Sequence, residues 1–147
     1  MLKTTVVILL RFCDLQISLN SLNMIEIGNR YSSSLRVDES STAAAMGSGD
    51  LPVFATPAMI ALMENAAMMA VASHLRDSET TVGGFMECSH ISPTAVGREV
   101  TAIATLRSID GAALHFDIVA YSDDKLIGKG HHIRYVVDRE RFLNKLK

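Results

Sequence analysis

A chain of 147 residues and 16.0 kDa is roughly one domain's worth of sequence, and a hydrophobic content of 48% is enough for a core. Fourteen Lys and Arg against 16 Asp and Glu leave a net charge of -2, which argues against a nucleic-acid or anionic-membrane binder, since these usually show a basic excess. The two cysteines, Cys13 and Cys88, lie far apart behind no convincing secretory signal, so the expectation is a reducing, cytoplasmic setting and no disulfide framework.

The first apolar run, Val6 to Leu10, is stopped by Arg11. An export signal needs roughly 7–15 apolar residues and a membrane helix about 20. Residues 1–23 therefore read as an extension ahead of a domain spanning 24–147, with a short pairing strand as the alternative.

Tyr31 to Val37 alternates weakly and reads as a first strand. Ser40 to Asp50, rich in Ser, Ala and Gly, reads as a loop, with Gly47-Ser48-Gly49-Asp50 mobile or tightly turned. Thr56-Pro57 then marks a helix start, because Thr is a good N-cap and Pro's missing N–H costs nothing in the first turn. The helix is expected to run to Leu75, about 28 Å at 1.5 Å per residue. It is apolar almost all round, and a helix without a polar face is normally enclosed.

Four strand-like segments follow with turn punctuation between them: Thr81 to Ile91, Arg98 to Ile109, Ala113 to Tyr121 and Leu126 to Val137. In the second, Val100, Ala102, Ala104 and Leu106 share one face. Asp138 to Leu146 fits a short terminal helix. The order predicts an α+β fold, an antiparallel sheet curled around one long central helix, whose open edges dimerisation would cover.

Polar residues in apolar surroundings are the candidates for chemistry. Glu64 sits inside the run Met59 to Ala72, where burial disfavours its charged form unless a partner offsets the cost. It reads as a nucleophile or general base lining a cleft or, with Asn65, as a narrow solvated edge of the helix. Thr56 is explained by capping alone. His90, near a strand end, fits a base or hydrogen-bond donor, or an ordinary half-buried histidine. Gly83 and Gly84 inside a strand suggest close approach by another chain or a ligand, and exposed N–H groups there would polarise a carbonyl. Adjacent His131 and His132 face opposite sides of a strand and so are poorly placed to share a metal ion. Cys88 lies on His90's face, but nothing marks it as a nucleophile.

The residues also carry a resemblance. Val53-Phe54-Ala55-Thr56-Pro57 leading into Leu62-Met63-Glu64, then Gly83, Cys88-Ser89-His90, Thr94-Ala95-Val96-Gly97 and Leu106-Arg107-Ser108-Ile109-Asp110-Gly111, resemble the hot-dog-fold acyl-CoA thioesterases. Within them the similarity is greatest to the fluoroacetyl-CoA thioesterase-like family. The likeness covers residues 24–147. It implies a catalytic set of Thr56, Glu64 and His90 acting on an acyl-CoA, with Gly83 at the thioester carbonyl and Arg134 late in the last strand. Glu64 would attack the carbonyl or activate water, Thr56 and His90 would position the reacting groups, and a backbone N–H near Gly83 would stabilise the oxyanion.

The resemblance implies a short-chain or small acyl-CoA hydrolysed to free acid and coenzyme A. It calls for no metal and no cofactor beyond the coenzyme A of the substrate. One departure matters: members selective for a fluorinated acyl group carry phenylalanines just ahead of the Val-Phe-Ala-Thr run, where this chain reads Gly47-Ser48-Gly49-Asp50-Leu51. Without apolar walls, apolar discrimination is not expected to carry over.

Thr56 and Glu64 lie about 12 Å apart along a helix axis. The site is then extended, or it combines two chains; hot-dog proteins characteristically pair, so the expectation is a homodimer or a dimer of dimers with composite sites and no nucleic-acid or membrane partner. The alternatives to a hydrolase are a hot-dog hydratase or dehydratase and a non-catalytic acyl-CoA-binding dimer.

Overall fold

The computed structural model describes residues 25–147; the expected extension 1–23 and the boundary at Met24 lie outside them. Five strands form one antiparallel sheet: β1 (Arg30–Arg36), β2 (Glu79–His90), β3 (Glu99–Asp110), β4 (Ala113–Ser122) and β5 (Lys125–Asp138). The spatial order is β1-β3-β4-β5-β2. β3, β4 and β5 are a meander, because Gly111 at φ 55 and Asp123 at φ 50 supply the left-handed residues that tight turns require. β2 lies at the far edge, since the long helix α2 (Thr56–Ala72) crosses the sheet between β1 and β2. The expected α+β architecture is present.

The period of two places the core. Val100, Ala102, Ala104 and Leu106 of β3 and Leu114, Phe116, Ile118 and Ala120 of β4 all point inward and are buried. Against them α2 sets Met59, Leu62, Met63, Ala66, Ala67, Ala70 and Val71. Alanines on both surfaces let the helix lie close to the sheet, while each buried Met or Leu contributes about 1.5–3 kcal/mol of apolar burial.

Three expectations need correction. The Ser40–Asp50 stretch is not wholly loop: a 3-10 turn (Glu39–Ser41) and a short helix α1 (Ala43–Met46) occupy its first half. The Asp38 and Thr42 side chains each cap a backbone N–H there, and Gly47 at φ 71 makes the tight turn after α1. The long helix ends at Ala72, with Ser73 as its C-cap. Nor do the described residues enclose α2 on every side. Pro57, Ala61, Asn65, Met69 and Ala72 form an exposed stripe at helical spacing, because the sheet covers only one side. The terminal helix α3 (Arg139–Asn144) is capped by Asp138. Among the described residues no helix is long and apolar enough to cross a membrane.

Candidate active site

The helix α2 carries one part of the site at its start and another two turns along. At its start the local grammar is overridden. Ala55, extended at φ -74 and ψ 139, is the N-cap and makes no side-chain cap bond. Hydrogen bonds from Phe54 N–H to Thr94 O and from Ala55 N–H to Ser41 O keep the chain extended up to that point, so Thr56 is already helical and does not cap. Its hydroxyl instead lies 2.8 Å from His90 Nδ1.

His90 reaches this position because the alternation of β2 turns it inward with Met86 and Cys88. The ring of Phe54 meets it edge-on at 6.3 Å. Burial pushes the imidazole below its ordinary value, against a smaller opposing pull from the nearby Ser92 backbone, which leaves it neutral near pH 7. With Nδ1 engaged by Thr56, the buried Nε2 has no hydrogen-bond partner among the described residues. A pocket of about 270 Å³ opens beside the pair, lined by Ala43, Ser48, Val53, Phe54, Thr56 and His90 among others.

Glu64 belongs to a separate group. Its side chain is 37% exposed, and Oε2 lies 4.0 Å from Arg134 Nη1. Asn65, its neighbour, takes the solvated edge and accepts a hydrogen bond from Ser33. Arg134 stands opposite Gly83 in the β2–β5 ladder. A β-carbon on Gly83 would lie 3.1 Å from both Glu64 Oε1 and His132 Cε1. The close approach expected at the glycine pair is thus made by this chain's own side chains, and Gly84 marks the bulge where the β2–β5 register shifts.

Arg134 is buried and held on three sides. Nε donates to Thr81 Oγ1 at 2.8 Å, Nη2 to Thr81 O at 2.9 Å, and Nη1 to His132 Nε2 at 3.1 Å. Thr81 and His132 were missed as site residues. The signal that finds them is the period of two, which puts His132 on Arg134's inward face.

One chain does not bring the expected residues together. Thr56 and His90 form one group; Glu64, Gly83 and Arg134 form another. Gly83, near the middle of β2, and His90, its last residue, are about 23 Å apart along the strand at 3.3 Å per residue. The remaining candidates stay apart from both. His131 faces the outer surface, stacks on His115 with ring centroids 5.5 Å apart, and lies 3.7 Å from Asp117. Burial pushes the Cys88 thiol up, away from the thiolate a nucleophile needs. A larger hollow of about 620 Å³ lies on the outer face near Glu87, Lys129 and His131 and holds none of the expected site residues.

A sheet wrapped onto one long helix with this strand order is the hot-dog fold. The hot-dog-like protein from Thermanaerovibrio acidaminovorans superposes with a TM-score of 0.78 at 18% identity, over 87% of this chain and 95% of that one; this likeness speaks to the fold alone. Sequence narrows the class. Residues 37–140 match the family of fluoroacetyl-CoA-specific thioesterases. The fluoroacetyl-CoA thioesterase of Streptantibioticus cattleyicolor is 37% identical over 95 residues, 65% of this chain and 68% of that one. A solved structure of the fluoroacetyl-CoA thioesterase FlK shares 31% identity and a TM-score of 0.77 over 82% of this chain and 94% of that one. The chain belongs to the fluoroacetyl-CoA-specific thioesterase family.

Proposed function

We propose that this protein hydrolyses a short-chain or small acyl-CoA to the free acid and coenzyme A, at two composite sites of a homodimer. The observation that carries the reading is the division of the polar residues into two groups, one at the His90 end of β2 and one beside Gly83 near its middle. That strand is at the sheet edge, with no partner strand on its outer side among the described residues. Antiparallel pairing of two such edges about a two-fold axis near Met86 and Glu87 carries His90 of one strand opposite Gly83 of the other. Each site then takes Thr56 and His90 from one protomer and Glu64, Gly83, Gly84 and Arg134 from its partner.

At such a site Glu64 attacks the thioester carbon or takes a proton from the water that does. The carbonyl electron pair moves onto oxygen, where a backbone N–H near Gly83 and the Arg134 guanidinium meet the negative charge. Collapse breaks the C–S bond and releases the coenzyme A thiolate; where water attacks, the free acid forms directly, and where Glu64 attacks, water then cleaves the acyl-Glu64 anhydride to the free acid and restores the carboxylate. Neutral His90, held through Nδ1 by Thr56, presents Nε2 to the reacting groups.

The wall beside Thr56 includes Ala43, Ser48, Val53 and Phe54, but the 43–51 segment ahead of it holds no phenylalanine, so selectivity for a fluorinated acyl group is not part of the proposal. A cytoplasmic location is part of it, supported by Cys88, a free thiol among the described residues. The test is thiol release over acetyl-, fluoroacetyl-, aryl- and longer acyl-CoA substrates. Turnover of small acyl groups is expected; no thiol from any substrate, with saturable binding, would favour the binding class.

Gly83→Ala gives a second check. The new methyl meets the rigid His132 ring on one side and the end of the flexible Glu64 side chain on the other, so the carboxylate yields. Misplacement by a few tenths of an ångström is expected to lower kcat about tenfold with little change in the urea unfolding midpoint. Unchanged kcat would detach Glu64 from the chemistry.

A further inference from the structure

His132 is fully buried under Gly83, and its two hydrogen bonds decide its chemical form. Nδ1 lies 2.6 Å from the Phe85 carbonyl oxygen; a carbonyl only accepts, so Nδ1 carries the hydrogen. Nε2 lies 3.1 Å from Arg134 Nη1; a guanidinium only donates, so Nε2 is the acceptor. The ring is therefore neutral and held in one tautomer. Burial, reinforced by the Arg134 charge and the neighbouring His131, pushes its pKa down to about 4, against the opposing pull of the Phe85 carbonyl.

The consequence falls on Arg134. A free arginine side chain samples many rotamers, and fixing it costs that freedom. Here Thr81 and His132 engage three of its donors, and an N–H edge remains on the side of Glu64. The 4.0 Å separation is too long for a direct hydrogen bond but suits an ion pair. The cation is thus in place before any substrate arrives, the preorganisation that makes a fixed charge effective.

We propose that His132 is a positioning residue, which with Thr81 locks the Arg134 guanidinium edge toward Glu64 and so sets where the carboxylate and the acyl carbonyl meet. This rests on the reading of Glu64 as the reacting carboxylate. A purely structural role would instead be to satisfy the Phe85 carbonyl beside the β2 bulge.

His132→Asn separates the two roles, because its amide retains a donor near the Nδ1 position and lacks an acceptor at Nε2. The expected result is a fall in kcat of about 10- to 100-fold with KM and the urea midpoint near those of the parent. Thr81→Val, which deletes one contact to Arg134, is expected to show the same kcat-weighted loss in smaller measure, and serves if the first variant does not fold. On the unaltered protein, long-range 1H–15N NMR is expected to show one imidazole protonated at Nδ1 and not at Nε2 from pH 8 to pH 5. A proton on Nε2 would overturn the proposal, as would parental kcat in either folded variant while Glu64→Gln is inactive. A fully active Glu64→Gln would instead remove the functional reading, and this proposal with it.

Discussion

Glu64→Gln and His90→Ala, each inactive alone, are expected to restore one another when co-expressed. Glu64→Gln keeps the shape of the side chain but deprives it of nucleophilic and basic oxygen, and His90→Ala removes the group that Thr56 holds at 2.8 Å. Loss of a positioned acid or base typically costs about 10²–10⁴-fold in rate. In a mixed dimer of composite sites, one site carries both lesions and the other carries neither. Random pairing makes about half the dimers mixed, so roughly a quarter of the parental activity returns. Thiol release from co-expressed and separately purified variants measures this. No recovery in a preparation that contains mixed dimers would place the whole site within one chain.

The second large effect is loss of stability in acid. The sign follows from His132: an unfolded histidine takes up a proton near pH 6.5, whereas the folded one does so only near 4. Between these values the unfolded state binds more protons, so the stabilising contribution is complete above pH 6.5 and is lost as pH falls toward 4. The shift corresponds to about 2 kcal/mol lost by pH 5 and about 3 kcal/mol by pH 4, a large share of the roughly 5–15 kcal/mol that holds a domain together. The groups at or near the ring are Arg134, His131 and, across Gly83, Glu64. His90, lowered by burial as well, acts in the same direction. Urea midpoints measured from pH 7 to pH 4.5 are expected to fall steeply in the parent and less in His132→Asn. Equal slopes would mean that His132 does not carry the effect.

These expectations draw unequally on sequence and structure. The four strands after the helix were legible because burial on a pleated surface repeats every two residues, as Val100, Ala102, Ala104 and Leu106 show. Glu64 was legible as a charge in an apolar run. Thr56 was misread as the cap, since a Thr followed by Pro57 satisfies the rules of a cap, and only hydrogen bonds to Ser41 and Thr94 from residues just before it shift the cap to Ala55. His132 was set aside with His131 as an unsuitable metal pair, although the same alternation that separated the two histidines placed His132 beside Arg134.

What the sequence determined by itself was the order of elements, the inward faces and the chemical types available, because periodicity, turn residues and composition are local properties of the chain. The tertiary structure alone decided which polar groups meet. Thr56 finds His90 34 residues away, and Arg134 finds Thr81 at a separation of 53. Such contacts depend on which strands are neighbours and on how completely water is excluded. The same physics divided the candidate residues into two groups, since a stiff helix and a stiff strand keep Glu64 and His90 apart within one chain.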